Sequence, residues 1–167
     1  IAETYGVMRD GLGMTAAAIA PVFARWNEGV LRSYLIEISA AVAGAADPVT
    51  SRPLLDLIVD AAGQKGTGRW TAIEAQNLGT PIPVIEAAVM ARNVSARLAE
   101  RAAGEAVFGK GSARVEGLSP DDLEQALIAG KILCYAQGFA MMTAAGAEFG
   151  WALDMPAIAR VWRAGCI

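Results

Sequence analysis

Histidine is absent from this 167-residue sequence, and cysteine is scarce. Histidine is the commonest general base and the commonest metal ligand, so its absence excludes histidine-dependent catalytic triads. The two cysteines, Cys134 and Cys166, offer neither a disulfide framework nor the spacing of a metal site. We therefore expect no bound metal ion, and we expect reduced thiols in a cytoplasmic protein.

A strong charge of one sign and a long uncharged run are also lacking. The net charge is −3 and the Lys and Arg residues do not form a run, whereas nucleic-acid binding favours a basic face. The longest apolar stretch, residues 126–153, is interrupted by Lys131, Gln137 and Glu148. No segment therefore reaches the roughly 18 uncharged residues that a bilayer span needs. We expect neither a nucleic-acid partner nor a membrane.

Apolar residues, by contrast, are abundant. They make up 54% of the chain, which is more apolar surface than a small monomer comfortably covers. A chain of this length suits one folding unit over residues 1–167, and we expect it to bury surface against another chain or domain. Because the chain lacks an initiator methionine and begins within a predicted helix, we also expect a fragment cut from a longer protein; a processed terminus is the alternative.

Helical patterning dominates the chain. Alanine is frequent, apolar residues recur at three- and four-residue spacing, and almost no segment alternates apolar and polar residues. The sequence therefore predicts an all-α fold. Residues 54–59 form either a short helix or an extended piece. Longer helices are predicted from Thr15 to about Asn27, Val30 to Ala43, Trp70 to Leu78, Pro81–Pro83 to about Ala102, Pro120 to about Phe149, and Met155 to Arg163.

The helix that begins at Pro120 has the clearest start in the chain. Ser119 supplies a cap, Pro120 suits the first turn, and two acids follow. Its apolar residues cover most of its circumference, so we predict that it is the central helix of the domain. Three glycines recur in it every eight residues, which favours close packing of helices over a membrane-type glycine interface. These are Gly130, Gly138 and Gly146.

A glycine-rich loop at residues 60–71 is typical of an anion cradle. It combines the ammonium of Lys65 and the hydroxyl of Thr67 with three glycines, Gly63, Gly66 and Gly68. Glycine lets backbone N–H groups approach a ligand, and a helix beginning near Trp70 adds its positive end. The loop does not match the Walker A pattern, so we do not expect nucleoside triphosphate hydrolysis. A flexible turn between helices is the alternative.

The same loop resembles the signature loop of the 6-phosphogluconate dehydrogenases. Four further motifs agree with that family in order and approximate spacing, so the resemblance covers nearly the whole chain. The loop motif is Ala62-Gly63-Gln64-Lys65-Gly66-Thr67-Gly68-Arg69-Trp70-Thr71, and the others are Ser33-Tyr34-Leu35-Ile36-Glu37-Ile38, Ala88-Val89-Met90-Ala91-Arg92, Tyr135-Ala136-Gln137-Gly138-Phe139 and Glu148-Phe149-Gly150-Trp151. The segment Trp162–Ile167 is similar to a later stretch.

The resemblance implies a metal-independent oxidative decarboxylation. NADP takes a hydride from C3 of 6-phosphogluconate, the β-keto acid loses carbon dioxide, and ribulose 5-phosphate forms. The chain is then the C-terminal helical domain, which forms the homodimer. The family's catalytic lysine and glutamate, its nucleotide-binding Rossmann domain and its C-terminal tail would lie outside this chain. We therefore expect no catalytic residue here and no activity of the fragment alone.

The resemblance also implies substrate-binding residues. Lys65, Gly66 and Thr67 match the loop positions that hold the substrate phosphate, and Arg92 matches an arginine that reaches the same group. The alternative is a solvated Lys65 and a surface Arg92. We interpret Arg69, Arg97 and Arg101 as solvated charges, and Glu37 and Glu86 as structural carboxylates. We expect Trp26, Tyr34, Trp70 and Trp151 to be packing residues with satisfied polar tips.

Departures from the family pattern leave alternatives open. Val30 and Arg32 stand where the family has acidic residues, and Ala164 stands where it has glycine. The chain could instead be the helical domain of a related β-hydroxyacid dehydrogenase, although Lys65, Thr67 and Arg92 favour a phosphorylated sugar acid. A non-catalytic helical dimerisation module is the second alternative. The choice between NADP and NAD depends on sequence outside this chain.

Overall fold

Residues with high helix propensity organise the chain into eight α-helices within the part that the computed structural model describes, residues 1–111 and 114–165. No β-strand occurs in those residues, and Ala46 and Pro53 form only an isolated antiparallel bridge. The predicted all-α class is confirmed. The helices are α1 (Ala2–Gly6), α2 (Ala16–Trp26), α3 (Tyr34–Gly44), α4 (Thr67–Asn77), α5 (Pro83–Ser95), α6 (Leu98–Phe108), α7 (Pro120–Phe149) and α8 (Met155–Gly165).

Polar side chains cap several of these helices. The Thr15 hydroxyl accepts a hydrogen bond from the Ala18 N–H at 3.2 Å, and the Ser33 hydroxyl accepts one from the Ile36 N–H at 3.4 Å. Such caps satisfy N–H groups that have no partner inside the helix. Because Ser33 is the cap, α3 begins at Tyr34 and not at Val30 as predicted.

Two other helix boundaries differ from the prediction. Helix α4 begins at Thr67, three residues before Trp70. The predicted helix from Pro81–Pro83 to Ala102 is two helices, because Arg97 has a non-helical backbone (φ −94°, ψ 55°) between α5 and α6. Residues 54–59 contain a short 3₁₀ turn, Leu54–Asp56. Cys166 and Ile167 lie outside the described residues.

The contacts group the chain into two units, and α7 contributes to both. The first unit contains Ile1–Val59 and Lys110–Ala129. Its core is formed by the packing of α2 against α3, together with a π-helical turn at Val7–Gly11. The buried core side chains are Met8, Ile19, Phe23, Trp26, Leu31, Ile36, Ala43 and Leu123. The expectation of one folding unit stays a prediction.

The second unit contains Asp60–Gly109 and the chain from Gly130 onward. Helix α4 packs against α5, and the approach is close at Gly68, where a Cβ atom would lie 3.1 Å from Val89 Cγ2. Tyr135 and Phe139 of α7 form an aromatic cluster with Trp162 of α8, with ring centroids 5.4–6.4 Å apart. This unit carries the glycine loop.

Helix α7 runs to Phe149 as predicted, but its surroundings differ from the prediction. It is the one long helix of the described residues and contributes to both units, but within this chain only Leu123 and Ala145 on it are buried. Glycine packing is likewise restricted to Gly146, whose Cβ position lies 3.1 Å from the Trp151 carbonyl oxygen. Gly130 and Gly138 have no described neighbour within 4 Å of that position, so the predicted close packing is not found there within this chain.

By length and composition, α7 is also the one helix of the described residues that could cross a membrane. None of the residues in its most apolar 18-residue window is buried. Core helices of soluble proteins have the same length and composition. Lys131 and Glu148 interrupt the uncharged run of α7. Length and composition alone therefore do not identify a membrane span.

The predicted packing aromatics fall into two groups. Trp26 is fully buried, yet its indole Nε1 has no hydrogen-bond partner among the described residues, so the expectation of a satisfied polar tip is wrong there. Tyr34, Trp70 and Trp151 are more than half exposed, at 59%, 62% and 56%. These three side chains are therefore only partly used for packing within this chain.

Candidate anion-binding site

The glycine loop ends in an open helix N-terminus. Gly66 is buried, has a backbone φ of 109°, and precedes the first residue of α4, Thr67. No side chain caps this helix. The first N–H groups of a helix have no partner inside it, and together with the helix dipole they attract anions. The start of α4 therefore has the local structure of an anion-binding site.

Lys65 and Thr67 lie on either side of Gly66, and both side chains are exposed. Among the described residues, neither the Lys65 ammonium nor the Thr67 hydroxyl has a hydrogen-bond or ion-pair partner. The Thr67 carbonyl oxygen accepts a hydrogen bond from the Thr71 hydroxyl at 2.8 Å, which stabilises the first turn of α4. A cation and a hydroxyl group are thus presented beside the open helix end.

Arg92 reaches the same loop from α5. Its guanidinium donates a hydrogen bond to the Gly63 carbonyl oxygen, and its side chain is exposed. Gly63 is two residues before Lys65, so the structure brings Arg92 to the loop that carries the other three predicted site residues. An arginine bonded to this loop, a lysine within it and a helix N-terminus are the kinds of donor that bind a phosphate group.

Other α5 side chains fasten the loop, and sequence reasoning missed them. The Ser95 hydroxyl accepts a hydrogen bond from the Ala62 N–H at 3.1 Å. The Gln64 amide donates to the Asn93 side-chain oxygen and, at 3.4 Å, to the Val89 carbonyl oxygen. These residues lie 25 to 33 positions apart in the chain, so no local pattern pairs them.

Arg101 corrects one prediction, because it is not a solvated charge. Its side chain is only 30% exposed and forms an ion pair with Asp60, with Nη1 2.9 Å from Oδ2. A second nitrogen, Nη2, donates to the Asp60 and Ser95 carbonyl oxygens. Arg97, by comparison, pairs with Glu100 in the first turn of α6 and is 64% exposed, and Arg69 is exposed.

The two carboxylates considered in the sequence analysis do not join the loop. Glu86 accepts a hydrogen bond from the Gln76 amide at 2.9 Å and so links α5 to α4. This bond matches its interpretation as a structural carboxylate. Glu37 is exposed on α3. Within the described residues, no cluster of three or more Cys, Asp or Glu side chains could hold a metal ion.

The family comparison agrees with this geometry. The family model described as "6-phosphogluconate dehydrogenase, C-terminal domain" matches residues 1–167. The chain belongs to the 6-phosphogluconate dehydrogenase family. The match extends over the complete sequence, which includes the loop, α4 and α5.

Relatives in the 6-phosphogluconate dehydrogenase family are similar across the full chain. The decarboxylating 6-phosphogluconate dehydrogenase 1 of Saccharomyces cerevisiae is 46% identical over 172 residues, covering 100% of this chain and 35% of the yeast protein. The NADP(+)-dependent, decarboxylating enzyme of Bacillus subtilis is 42% identical over 171 residues, covering 100% of this chain and 36% of that enzyme. The chain thus spans about a third of the length of these relatives.

A solved member of the family has the same fold. The structure of Plasmodium falciparum 6-phosphogluconate dehydrogenase superimposes with a TM-score of 0.92 at 39% identity. The match covers 99% of this chain and 37% of the Plasmodium chain. That protein is described in its apo form, with its cofactor NADP+ and with its substrate 6-phosphogluconate. The helical architecture described above is therefore that of the family's C-terminal domain.

Proposed function

We propose that this chain is the C-terminal helical domain of a decarboxylating, NADP-dependent 6-phosphogluconate dehydrogenase. The complete enzyme would oxidise 6-phosphogluconate at C3 by hydride transfer to NADP, and loss of carbon dioxide would then give ribulose 5-phosphate. In this proposal residues 1–167 are one helical domain, and the enzyme is cytoplasmic. The names of the yeast and Bacillus relatives support the reaction and the cofactor.

One observation carries the proposal: Arg92 lies on the loop that presents Lys65 and the open end of α4. A phosphate dianion is bound by cationic donors, a hydroxyl and backbone N–H groups. Lys65, Thr67, Arg92 and the N–H groups after Gly66 supply these groups. Such a set of donors favours a phosphorylated sugar acid over the unphosphorylated acids of related β-hydroxyacid dehydrogenases.

The contribution of this chain to catalysis is binding and orientation. A phosphate held at one end of the substrate fixes the position of the reacting carbon atoms at the other end. The hydride acceptor and the proton-transfer groups would belong to the rest of the enzyme. General acid and base groups commonly contribute about 10²–10⁴-fold each, so the isolated chain is expected to have no measurable turnover.

The test is NADPH formation at 340 nm by the full-length polypeptide whose reading frame contains this chain. With 6-phosphogluconate and NADP, we expect substrate-dependent reduction that collapses in the Lys65→Ala and Arg92→Ala variants. Arg97→Ala is the matched control, because Arg97 pairs with Glu100 and is exposed. No reduction with either NADP or NAD would overturn the proposal and would favour a non-catalytic helical module.

We further propose that the enzyme is a homodimer formed through this domain. Large apolar side chains of α7 and α8 are exposed in the single chain, among them Ile132 at 62% and Val161 at 68%. Exposed apolar surface of this kind is typical of protein–protein interfaces. Sedimentation velocity at micromolar concentration should give a dimer, and Ile132→Asp should weaken it. A monomer over that range would contradict the proposal.

A further inference from the structure

One side chain of α6 holds the start of the glycine loop. Arg101 forms the ion pair with Asp60 at 2.9 Å, donates to the Asp60 carbonyl oxygen, and donates to the Ser95 carbonyl oxygen at 3.1 Å. It therefore joins the loop to the last residue of α5. We call Arg101, Asp60 and Ser95 the Arg101 clamp. None of these contacts involves Lys65, Thr67 or Arg92 directly.

We propose that Arg101 is a positioning residue for the substrate phosphate. Through the Arg101 clamp it would fix the loop in the one conformation in which Lys65 and Arg92 approach the same phosphate group. This inference rests on the proposed function, because it concerns the same site. It adds a residue that the phosphate site requires although the residue does not touch the ligand.

The loop depends on side chains for its conformation. Within the described part of the chain, residues 60–65 make no backbone–backbone hydrogen bond. Fixing a free backbone residue costs conformational entropy, so an unanchored loop would have to be ordered when the ligand binds. Anchors at Asp60, Ala62 and Gly63 order the loop beforehand, which increases affinity by preorganisation.

The Arg101 clamp also balances an unfavourable charge. The Asp60 carboxylate begins the loop and is 82% exposed. A carboxylate on the same loop as Lys65 opposes the binding of a phosphate dianion. The guanidinium of Arg101 neutralises that carboxylate locally, so the loop keeps its net positive field for the ligand.

The contact pattern requires arginine. Arg101 serves three acceptors on two segments, and its planar group of five N–H donors can do this at one time. Its Nε is buried without a partner among the described residues, a cost that the three hydrogen bonds offset. Lysine keeps the charge but presents one small ammonium group. Arg101→Lys therefore separates geometry from charge, and Arg97→Lys, at the residue just before the same helix, is the matched control.

The experiment uses the full-length polypeptide and measures two quantities. The first is the KM for 6-phosphogluconate together with kcat, and the second is hydrogen exchange at the amides of residues 60–66. For Arg101→Lys we expect a KM raised about 10-fold with kcat little changed, and faster exchange in the loop. Arg97→Lys should behave like the parent protein. Ser95→Ala, which removes the Ala62 anchor, should also raise KM and exchange.

The possible outcomes separate the two proposals. If the parent protein turns over and Arg101→Lys and Ser95→Ala both leave KM and loop exchange unchanged, the positioning role is overturned while the proposed function stands. A loss of kcat and melting temperature with an unchanged KM would show a merely structural role and would also overturn it. A parent protein without substrate-dependent reduction would overturn the proposed function, and the positioning role would fall with it.

Discussion

Arg92 and Gly63 are joined by a hydrogen bond from the arginine guanidinium to the glycine carbonyl oxygen. The bond ties α5 to the glycine loop two residues before Lys65. It involves only the Nη2 nitrogen, and the other N–H groups of Arg92 have no partner among the described residues. Arg92 can therefore stay on the loop and still donate to a phosphate, because a guanidinium carries five N–H donors.

This geometry predicts that a lysine cannot replace Arg92. Arg92→Lys keeps the charge but cannot hold the Gly63 carbonyl oxygen and a phosphate with one planar group. Hydrogen bonds to charged groups contribute about 1.5–3 kcal/mol, so KM for 6-phosphogluconate should rise roughly 10- to 100-fold in the full-length polypeptide. Steady-state kinetics measures this, with Arg97→Lys as the control. A KM within about twofold of the parent would contradict the assigned role.

Gly66 gives a second test of the site. Its φ of 109° lies where side chains with a Cβ are strained, at a cost of about 1–3 kcal/mol. Gly66→Ala should therefore distort the start of α4 and raise KM, whereas Gly63→Ala should have little effect. Gly63 has no described atom within 4 Å of its Cβ position and is not among the residues of positive φ. Equal KM values for Gly66→Ala and Gly63→Ala would contradict the requirement for glycine at position 66.

Short-range patterns explain why much of this structure could be predicted from sequence. Ser119 and Asp122 are three residues apart and form the capping box that begins α7. Lys65, Gly66 and Thr67 are consecutive in the sequence, so they necessarily lie close together in the structure. The all-α class, the clearest helix start and a glycine loop that leads into a helix N-terminus all depend on such local chemistry.

Long-range pairs explain why the rest could not be predicted. Arg101 and Asp60 are separated by 41 positions, so the local sequence could not distinguish Arg101 from a solvated arginine. The break after Ser95 was missed because no proline or glycine marks it. The exposure of α7 was missed because an all-round apolar helix predicts burial without saying which chain buries it.

The cap of α7 predicts a pH dependence of stability. Hydrogen bonds from the Ser119 hydroxyl and N–H, at 2.6 and 2.9 Å, lower the pKa of the Asp122 carboxyl. A carboxyl group whose pKa is lower in the folded state stabilises the fold above its unfolded pKa, and this contribution is lost as pH falls through the folded value. Asp122→Asn should therefore lower the melting temperature at pH 7 and have progressively less effect in acid.

Thermal unfolding of the parent protein and of Asp122→Asn at a series of pH values checks this prediction. Ser119→Ala removes the hydroxyl that donates to the Asp122 carboxylate, so it should likewise weaken the cap at neutral pH. A difference in melting temperature between Asp122→Asn and the parent that stays constant from neutral to acid pH would contradict the assigned cause, because a constant difference reports lost packing and not a lost charge.

The glycines of α7 predict opposite responses to one substitution. Glycine inside a helix destabilises it by roughly 0.5–1 kcal/mol relative to alanine. Gly138→Ala should stabilise the chain, because no described atom lies within 4 Å of the new methyl group. Gly146→Ala should not, because the methyl group would lie 3.1 Å from the Trp151 carbonyl oxygen. The Trp151 N–H donates to the Gly146 carbonyl oxygen at 2.9 Å, so that segment cannot easily move away.

Melting temperatures measured over a range of protein concentrations also report on the proposed dimer. If Gly138 faces solvent, Gly138→Ala raises the melting temperature equally at every concentration. If a second copy covers Gly138, the methyl group meets that copy, and the variant loses stability as the concentration rises into the range where the parent associates. A destabilised Gly138→Ala at low concentration, where the chain is monomeric, would contradict the open surroundings that the structure gives this residue.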